Sequence, residues 1–161
     1  MDGMAHVLIV HHSPTEKLRR IATTVIDAAR GAAAEVSGQL DEPLEVVERD
    51  ALDPDGDELH DAVAVILGTT ANFGYISGAL KHYLDSTYLQ NQDREKLYSY
   101  WIRGGYDTTG AENALEKIAT GFGWTTAAEP VAFTGDVEPH LDELRALAEN
   151  TVGAYFLSAS A

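Results

Sequence analysis

The sequence predicts an α/β fold in which helices cover both faces of a parallel β-sheet. Short apolar blocks of strand length alternate along the chain with longer segments whose apolar residues recur at helical spacing. Helical crossovers between successive strands imply that the strands run parallel. A proline at position 130 opens the last apolar block, which favours an edge position for that strand because a missing N–H donor does little harm there.

Each element follows from its local pattern. An amphipathic helix follows the first strand, because apolar residues recur at helical spacing between residues 18 and 29. Residues 50–57 form a turn-rich acidic loop after the second strand. The five strands are expected at 6–10, 44–49, 62–67, 97–102 and 130–133, and the helices at 18–29, 76–84, 111–122 and 141–152.

The strand order 2-1-3-4-5 satisfies the edge preference of the fifth strand. It also brings the loops after strands one and three together at the switch point of the sheet, where open α/β proteins bind ligands. The length of 161 residues fits one domain, spanning residues 1–161.

The composition excludes several classes of function. The chain has 26 acidic and 11 basic residues, and its formal net charge of −15 argues against nucleic acid and anionic membranes as partners. The absence of cysteine excludes disulfides, thiolate chemistry and iron–sulfur ligation. No apolar run has the length of a transmembrane helix or of a signal peptide, so we expect a cytoplasmic protein.

The segment GTTANFGYISGALKHYLD, residues 68–85, is the most informative part of the chain. It follows the predicted third strand and contains polar and aromatic residues but no charge until its helix begins. Hydroxyls and an amide can bond the edge of a heteroaromatic ring, Phe73 or Tyr75 can stack on it, and Gly74 permits positive φ. Burial of both rings in the core is the alternative. The ligand-binding candidates here are Thr69, Thr70, Ala71, Asn72, Phe73 and Gly74.

A second candidate loop follows the first strand. Ser13, Pro14 and Thr15 lie where the first helix begins, and the free amides and positive dipole of a helix N-terminus bind phosphate. Lys17, Arg19 and Arg20 add positive charge nearby. Alternatively, residues 13–16 are only a capping box, with Ser13 as the cap.

The third candidate loop follows the fourth strand. Gly104 and Gly105 permit close approach of the backbone to a ligand, and Tyr106 is another ring that can stack. Asp107 can accept a hydrogen bond from a ring imide or a ribityl hydroxyl. The segment 109–112 also matches a capping box, which gives Thr109 a structural role.

No metal site is predicted. His11 and His12 are adjacent in a strand and should point to opposite faces, and the acidic residues between 53 and 61 do not match calcium-loop spacing. The Rossmann G-x-G-x-x-G motif, the Walker lysine motif and the G-x-S-x-G nucleophile motif are absent.

The three loops together resemble those of the flavodoxin-like superfamily, and within it the actinobacterial flavodoxin-like, NADPH-dependent FMN reductases. The resemblance covers nearly the whole chain and is strongest at 68–85, which is similar to the family segment G-T/S-P-x-x-F/Y-G-x-x-S-G-x-x-K, and at 103–124. It implies a three-layer sandwich that binds FMN. Residues 70–74 would line the flavin ring, 104–107 would close its other side, and 13–18 would hold the phosphate.

The chain departs from the family pattern at three points. The family's phosphate loop reads S/T-x-T-G-x-T, but here no glycine follows Thr15, and Leu18 stands near the place of a hydroxyl. Thr70 replaces the usual proline of the ring-binding segment. These differences predict a weaker grip on the phosphate.

The resemblance implies hydride transfer from NAD(P)H through FMN to a quinone or free flavin. The flavin performs the chemistry, so no catalytic acid or base is assigned. A flavodoxin-type electron carrier is the alternative, and a relative that no longer binds flavin is a third. A homodimer is expected for such reductases, because a neighbouring subunit can cover the flavin.

Overall fold

The structure is a computed structural model that describes residues 4–161. It contains one sheet of seven strands and five α-helices within that range. The strands are β1 (Ala5–His11), β2 (Leu44–Asp50), β3 (Ala64–Asn72), β4 (Tyr75–Ile76), β5 (Leu97–Gly104), β6 (Thr125–Thr126) and β7 (Val131–Thr134). The helices are α1 (Glu16–Ser37), α2 (Gly56–Asp61), α3 (Gly78–Asn91), α4 (Thr109–Phe122) and α5 (Leu141–Ser160), and a 3₁₀ turn, Glu138–His140, precedes α5.

The sheet has the predicted topology. Its order is β2-β1-β3-β5, followed by β6 and β7, which both pair with β5. The long strands are parallel, and β3 and β5 share the most extensive ladder, from Ala64↔Leu97 to Ala71↔Gly104. The predicted order 2-1-3-4-5 is therefore confirmed for the five principal strands. Two very short strands, β4 and β6, were not predicted.

The fifth principal strand lies at the edge, as its proline favours. Pro130 immediately precedes β7, and β6 and β7 pair with opposite ends of β5. The edge is thus divided into two short pieces, because a proline cannot donate to the ladder.

Helices pack on both faces and form two apolar cores. On one face α1 and α5 bury Ile21, Val25 and Leu147 against the sheet. On the other face α2, α3 and α4 bury Leu59, Leu80 and Leu115. The three-layer α/β architecture predicted from the sequence is confirmed.

The crossover between β2 and β3 differs from the prediction. The acidic segment after residue 50 was expected to be only a turn, but residues 56–61 form α2, which Asp55 caps by accepting from the Glu58 amide at 3.1 Å. Arg49 donates to both carboxylate oxygens of Glu58 at 2.9 Å and to Asp53 at 3.0 Å. Arg49 therefore offsets the negative charge of Glu58 and Asp53, two of the acidic residues that disfavoured a helix in the sequence analysis.

Strand β3 also differs from its predicted bounds. It ends at Asn72 rather than at residue 67, because its ladder with β5 continues through Thr69↔Ile102 and Thr70↔Arg103. Gly68 makes this pairing possible, since a Cβ atom there would lie 2.0 Å from the indole of Trp101. The extension carries the predicted loop residues Thr69 to Asn72 into the sheet.

Candidate functional site

The candidate site lies at the carboxyl edge of the sheet, where β1, β3 and β5 end. The β3 and β5 corners start from neighbouring positions, because Ala71 pairs with Gly104 at the end of the ladder. Strand β1 runs beside β3, with Val10 paired to Leu67. The topology therefore brings all three predicted loops to one edge.

The corner after β3 is a tight hairpin. Asn72 pairs with Tyr75 across a two-residue turn, and both central residues have positive φ, 52° at Phe73 and 75° at Gly74. Positive φ at both positions defines a type I′ turn, whose twist matches that of the flanking strands. Gly74 uses the positive φ that glycine permits, but Phe73 shares it.

Phe73 is unusual in two respects. Its side chain is fully exposed, with a relative accessibility of 109%. It is also the one non-glycine residue with positive φ between residues 4 and 161, a conformation that costs an L-residue about 1–2 kcal/mol. The alternative that Phe73 and Tyr75 are core residues is wrong, since Tyr75 is also exposed, at 42%. Backbone strain under an exposed ring is typical of functional sites.

The hydroxyl of Thr69 is used inside the hairpin. It is buried, donates to the Thr70 carbonyl at 2.9 Å and accepts from the Ser77 amide at 3.0 Å. These bonds tie β3 to the start of α3 and give Thr69 a structural role in place of the expected contact with a ligand edge. Thr70 and Ala71 are half-buried, and the side chain of Asn72 is exposed.

The corner after β5 is built on glycine. A Cβ atom at Gly104 would lie 3.2 Å from the Cβ of Ala71 and 3.0 Å from Thr108, so the neighbouring corners approach closely here. Gly105 is open, and Tyr106 is exposed at 94%. The two corners thus present one free ring each, Phe73 and Tyr106.

Asp107 is engaged by its own loop. Its Oδ1 accepts from the amide of Thr109 at 3.3 Å and from the Thr109 hydroxyl at 3.0 Å. The predicted capping box at 109–112 is wrong, because Thr108 is the N-cap residue and its hydroxyl donates to Glu112 at 2.9 Å. Asp107 therefore fixes the loop that carries Tyr106.

Helix α4 supports the hairpin from below. A Cβ atom at Gly110 would lie 2.1 Å from the carbonyl oxygen of Gly74. Only glycine allows the first turn of α4 to approach the hairpin backbone this closely. The position of the Phe73 ring thus depends on a glycine in the following corner.

The corner after β1 begins α1. Thr15 is the N-cap and its hydroxyl accepts from the Leu18 amide at 3.3 Å, so the predicted capping box with Ser13 as the cap is wrong. Ser13 instead bonds Nδ1 of His11 at 2.8 Å. The Glu16 and Lys17 amides in the first turn of α1 have no intrahelical acceptor, whereas the Leu18 amide is used by the cap. Leu18 packs against the core, so its side chain offers no hydroxyl at this corner.

The positive charge expected at this corner is only partly available. Arg20 forms an ion pair with Glu138, which precedes α5. Arg19 lines a groove of about 580 Å³ between α1 and α5. Within residues 4–161, Lys17 takes part in no ion pair and its side chain is exposed. Lys17 is therefore the cation that fits an anion at the start of α1.

The corners stand at different heights. Val10 pairs with Leu67, so His11 at the end of β1 is level with Gly68, four residues before the end of β3 at Asn72. Four residues of strand span about 13 Å. The N-terminus of α1 therefore lies closer to the middle of the sheet, and the two aromatic rings lie farther out along the strand direction. This arrangement suits an elongated ligand with an anionic end and a flat ring.

No family model matches the chain. It is 32% identical over 99 residues to the NAD(P)H dehydrogenase (quinone) of Archaeoglobus fulgidus, an alignment that covers 52% of this chain and 52% of that protein. The chain thus spans about half the length of this curated relative.

Solved structures share nearly the whole architecture. The rubredoxin oxygen:oxidoreductase of Desulfovibrio gigas matches 97% of this chain over 37% of its own, with a TM-score of 0.80 and 17% identity. A flavodoxin from the domain Archaea matches 93% of this chain and 98% of its own, with a TM-score of 0.74 and 15% identity. The Streptococcus pneumoniae flavodoxin gives a TM-score of 0.72, 19% identity and coverages of 92% and 99%.

The chain has the flavodoxin-like fold. The fold predicted from the three loops is thereby confirmed, whereas the narrower resemblance to actinobacterial FMN reductases stays a prediction. The assignment of residues to a flavin site also stays a prediction, supported by the geometry of the three corners.

A hydrogen bond between His11 and Glu48 at the edge of this flavodoxin-like fold was not predicted from the sequence. Nε2 of His11 bonds the Glu48 carboxylate on β2 at 2.7 Å, and His11 is 8% exposed. His12 bonds Asp50 instead, at 3.3 Å. The contact depends on the β1–β2 register, in which Ile9 pairs with Glu48, and one sequence does not reveal register.

Metal-binding clusters and membrane-spanning helices were searched for among the described residues. Within residues 4–161, no group of three or more histidine or acidic side chains is arranged to hold a metal ion. Over the same part of the chain, no helix combines the length and the apolar character needed to span a membrane.

Gly110→Ala should destabilise the protein, because the new methyl group collides with the backbone of Gly74 rather than with a mobile side chain. We expect a loss of about 1–3 kcal/mol in the free energy of unfolding, measured by urea denaturation. Gly121→Ala on the same helix is the matched control. That position is open, so alanine should stabilise the helix by up to about 1 kcal/mol. Equal effects of the two substitutions would contradict the close contact.

Proposed function

We propose that this protein binds FMN at the carboxyl edge of its sheet and acts as an NAD(P)H-dependent oxidoreductase. Hydride would pass through the flavin to a small acceptor, a quinone or a free flavin. One observation carries the proposal. Two aromatic rings, Phe73 and Tyr106, are exposed on adjoining corners, and one of them is held there in a strained backbone conformation. Such an arrangement is difficult to explain without a flat ligand.

The ring end of the site fits a flavin in its chemistry. The hairpin from Thr69 to Ser77 carries no charged residue, although the chain is strongly acidic. Phe73 and Tyr106 offer faces for stacking, and Gly105 leaves room for the backbone to approach a ring edge. Bound FMN would supply a ring that accepts hydride, while the protein would orient that ring.

The phosphate end fits an anion. The first-turn amides of α1 and the positive end of its dipole face the corner after β1. Ser13 and Lys17 are the side chains that would add a hydroxyl and a charge. Thr15 holds the helix cap, so its hydroxyl serves the phosphate only indirectly, by fixing the first turn.

The electron donor and acceptor are assigned by analogy with the partial relative, which is named an NAD(P)H dehydrogenase (quinone). The exposed Phe73 and Tyr106 leave the ring end open to a second flat molecule, as hydride transfer by stacking requires. A homodimer that covers this end, and a cytoplasmic location, stay predictions.

A flavodoxin-type electron carrier is the second candidate. The specific observation in its favour is that flavodoxins match this chain over almost their full length, 98% and 99% in two cases. The net charge of −15 also suits docking onto basic redox partners.

Ser13→Ala should weaken binding of FMN about tenfold, because one hydrogen bond to a charged group is lost. Riboflavin lacks the phosphate, so its affinity should be unchanged. Flavin fluorescence quenching measures both constants, and Ser86→Ala, an exposed serine on α3, is the matched control. An equal loss of both flavins would show that Ser13 does not contact the phosphate.

Phe73→Asn should change stability and binding in opposite directions. Asparagine tolerates positive φ, and Asn-Gly is a favoured pair for a type I′ turn, so the free energy of unfolding should rise by about 0.5–1 kcal/mol. Loss of stacking should weaken FMN about tenfold. Leu89→Asn, at an exposed position on α3, should leave FMN affinity unaltered. If Phe73→Asn also leaves it unaltered, the ring is not part of the site.

Anaerobic titration with NADPH should separate the two candidate functions. A hydride-transfer enzyme should pass directly from oxidised to two-electron-reduced flavin, and the absorbance should show no one-electron intermediate. Slow or absent reduction by NADPH, together with a stable one-electron intermediate on chemical reduction, would favour the carrier.

A further inference from the structure

A continuous chain of hydrogen bonds leads from the corner after β1 to the edge strand β2. The hydroxyl of Ser13 bonds Nδ1 of His11 at 2.8 Å, and Nε2 of His11 bonds the Glu48 carboxylate at 2.7 Å. His11 is nine-tenths buried, whereas 47% of the Glu48 side chain is exposed. Both ring nitrogens of His11 are therefore hydrogen-bonded. The number of protons on the ring decides which group donates in each of these two bonds.

The neutral form of His11 directs the Ser13 proton away from a ligand. A neutral imidazole has one N–H donor and one acceptor nitrogen, and an ionised carboxylate only accepts. Nε2 therefore carries the proton and donates a hydrogen bond to Glu48, which leaves Nδ1 as an acceptor. The Ser13 hydroxyl then donates to Nδ1 and has no proton to offer an anion.

The protonated form of His11 reverses this direction. Both nitrogens of an imidazolium are donors, so Nδ1–H donates to the Ser13 oxygen. The hydroxyl proton is then free to bond a phosphate. The added charge also offsets Glu48, whose negative charge otherwise opposes an anion at the same corner.

We propose that His11 couples the binding of the FMN phosphate to the uptake of one proton. His11 and Glu48 are positioning residues, since they act through the direction of the Ser13 hydroxyl. This inference rests on the proposed function. By linkage, the affinity for FMN should fall by up to tenfold per unit of pH wherever free His11 is neutral. Riboflavin, without a phosphate, should show no such dependence.

The groups around His11 come from three elements. Strand β2 contributes the carboxylates of Glu48 and Asp50. The start of α1 contributes Glu16 and Lys17, whose charges oppose one another, and His12 is bonded to Asp50. The Trp101 ring of β5 lies 6.0 Å from the imidazole between ring centres and carries no charge. The carboxylates on β2 thus offset the positive charge of a protonated His11.

Calorimetry tests the coupling directly. FMN and riboflavin are titrated into the flavin-free protein at about pH 7.5, where the free phosphate is already mostly dianionic. Each titration is repeated in two buffers with different heats of ionisation, and the difference in observed heat gives the number of protons taken up. We expect close to one proton for FMN and none for riboflavin.

Two variants sharpen the test. His11→Asn places an amide near Nδ1 that can donate to Ser13 without titrating, so proton uptake should disappear. Glu45→Gln removes an exposed charge from the same strand and should leave the uptake unchanged. If His11→Asn does not fold, the wild-type measurement in two buffers still tests the coupling.

The outcomes separate the two proposals. Tighter binding of FMN than of riboflavin with no proton uptake would overturn the coupling and leave the flavin site standing. Uptake that persists in folded His11→Asn would also overturn the role of His11. Failure of both flavins to bind would overturn the proposed function, and the coupling with it.

Discussion

The parallel ladder between β3 and β5 is the constraint on which the site depends. It runs without interruption from Ala64↔Leu97 to Ala71↔Gly104, and it ends by delivering two corners side by side. Two glycines permit it: Gly68 leaves space for the Trp101 ring, and Gly104 allows contact with Ala71. If the ladder stopped at residue 67, the hairpin would not project above the neighbouring loops. Pairing in the interior of the sheet thus determines what the solvent-facing edge can hold.

The hairpin combines strain with support. A type I′ turn normally uses residues that accept positive φ at low cost, but here phenylalanine occupies one of the two positions. The conformation persists because the surroundings define it. Thr69 bonds the Ser77 amide within the hairpin, and Gly110 brings α4 against the carbonyl of Gly74. The exposed ring is therefore held by a rigid base, which lowers the entropy lost when a ligand binds.

The sequence predicted the architecture better than the site. Alternating apolar blocks and helical repeats report burial, so the strand order followed from them and from Pro130. Three features were not predicted from the sequence. Thr69 and Thr70 are polar residues that continue β3, because an interior ladder overrides local preference. Helix α2 is stabilised by Arg49, whose contacts with Glu58 arise from tertiary structure. The link between His11 and Glu48 depends on strand register, which periodicity does not encode.

The divided outer strand has a consequence for self-association. Long, flat sheet margins offer unpaired backbone groups to other chains and promote aggregation. On one side of this sheet, β6 and β7 contribute two and four residues, interrupted just before β7 by a proline. On the opposite side, β2 has the sequence LEVVERD, in which four of seven residues are charged. Both margins thus discourage continuation of the sheet into a neighbouring molecule, and contact between copies of this chain is directed to the helical faces or to the rim that carries Phe73 and Tyr106.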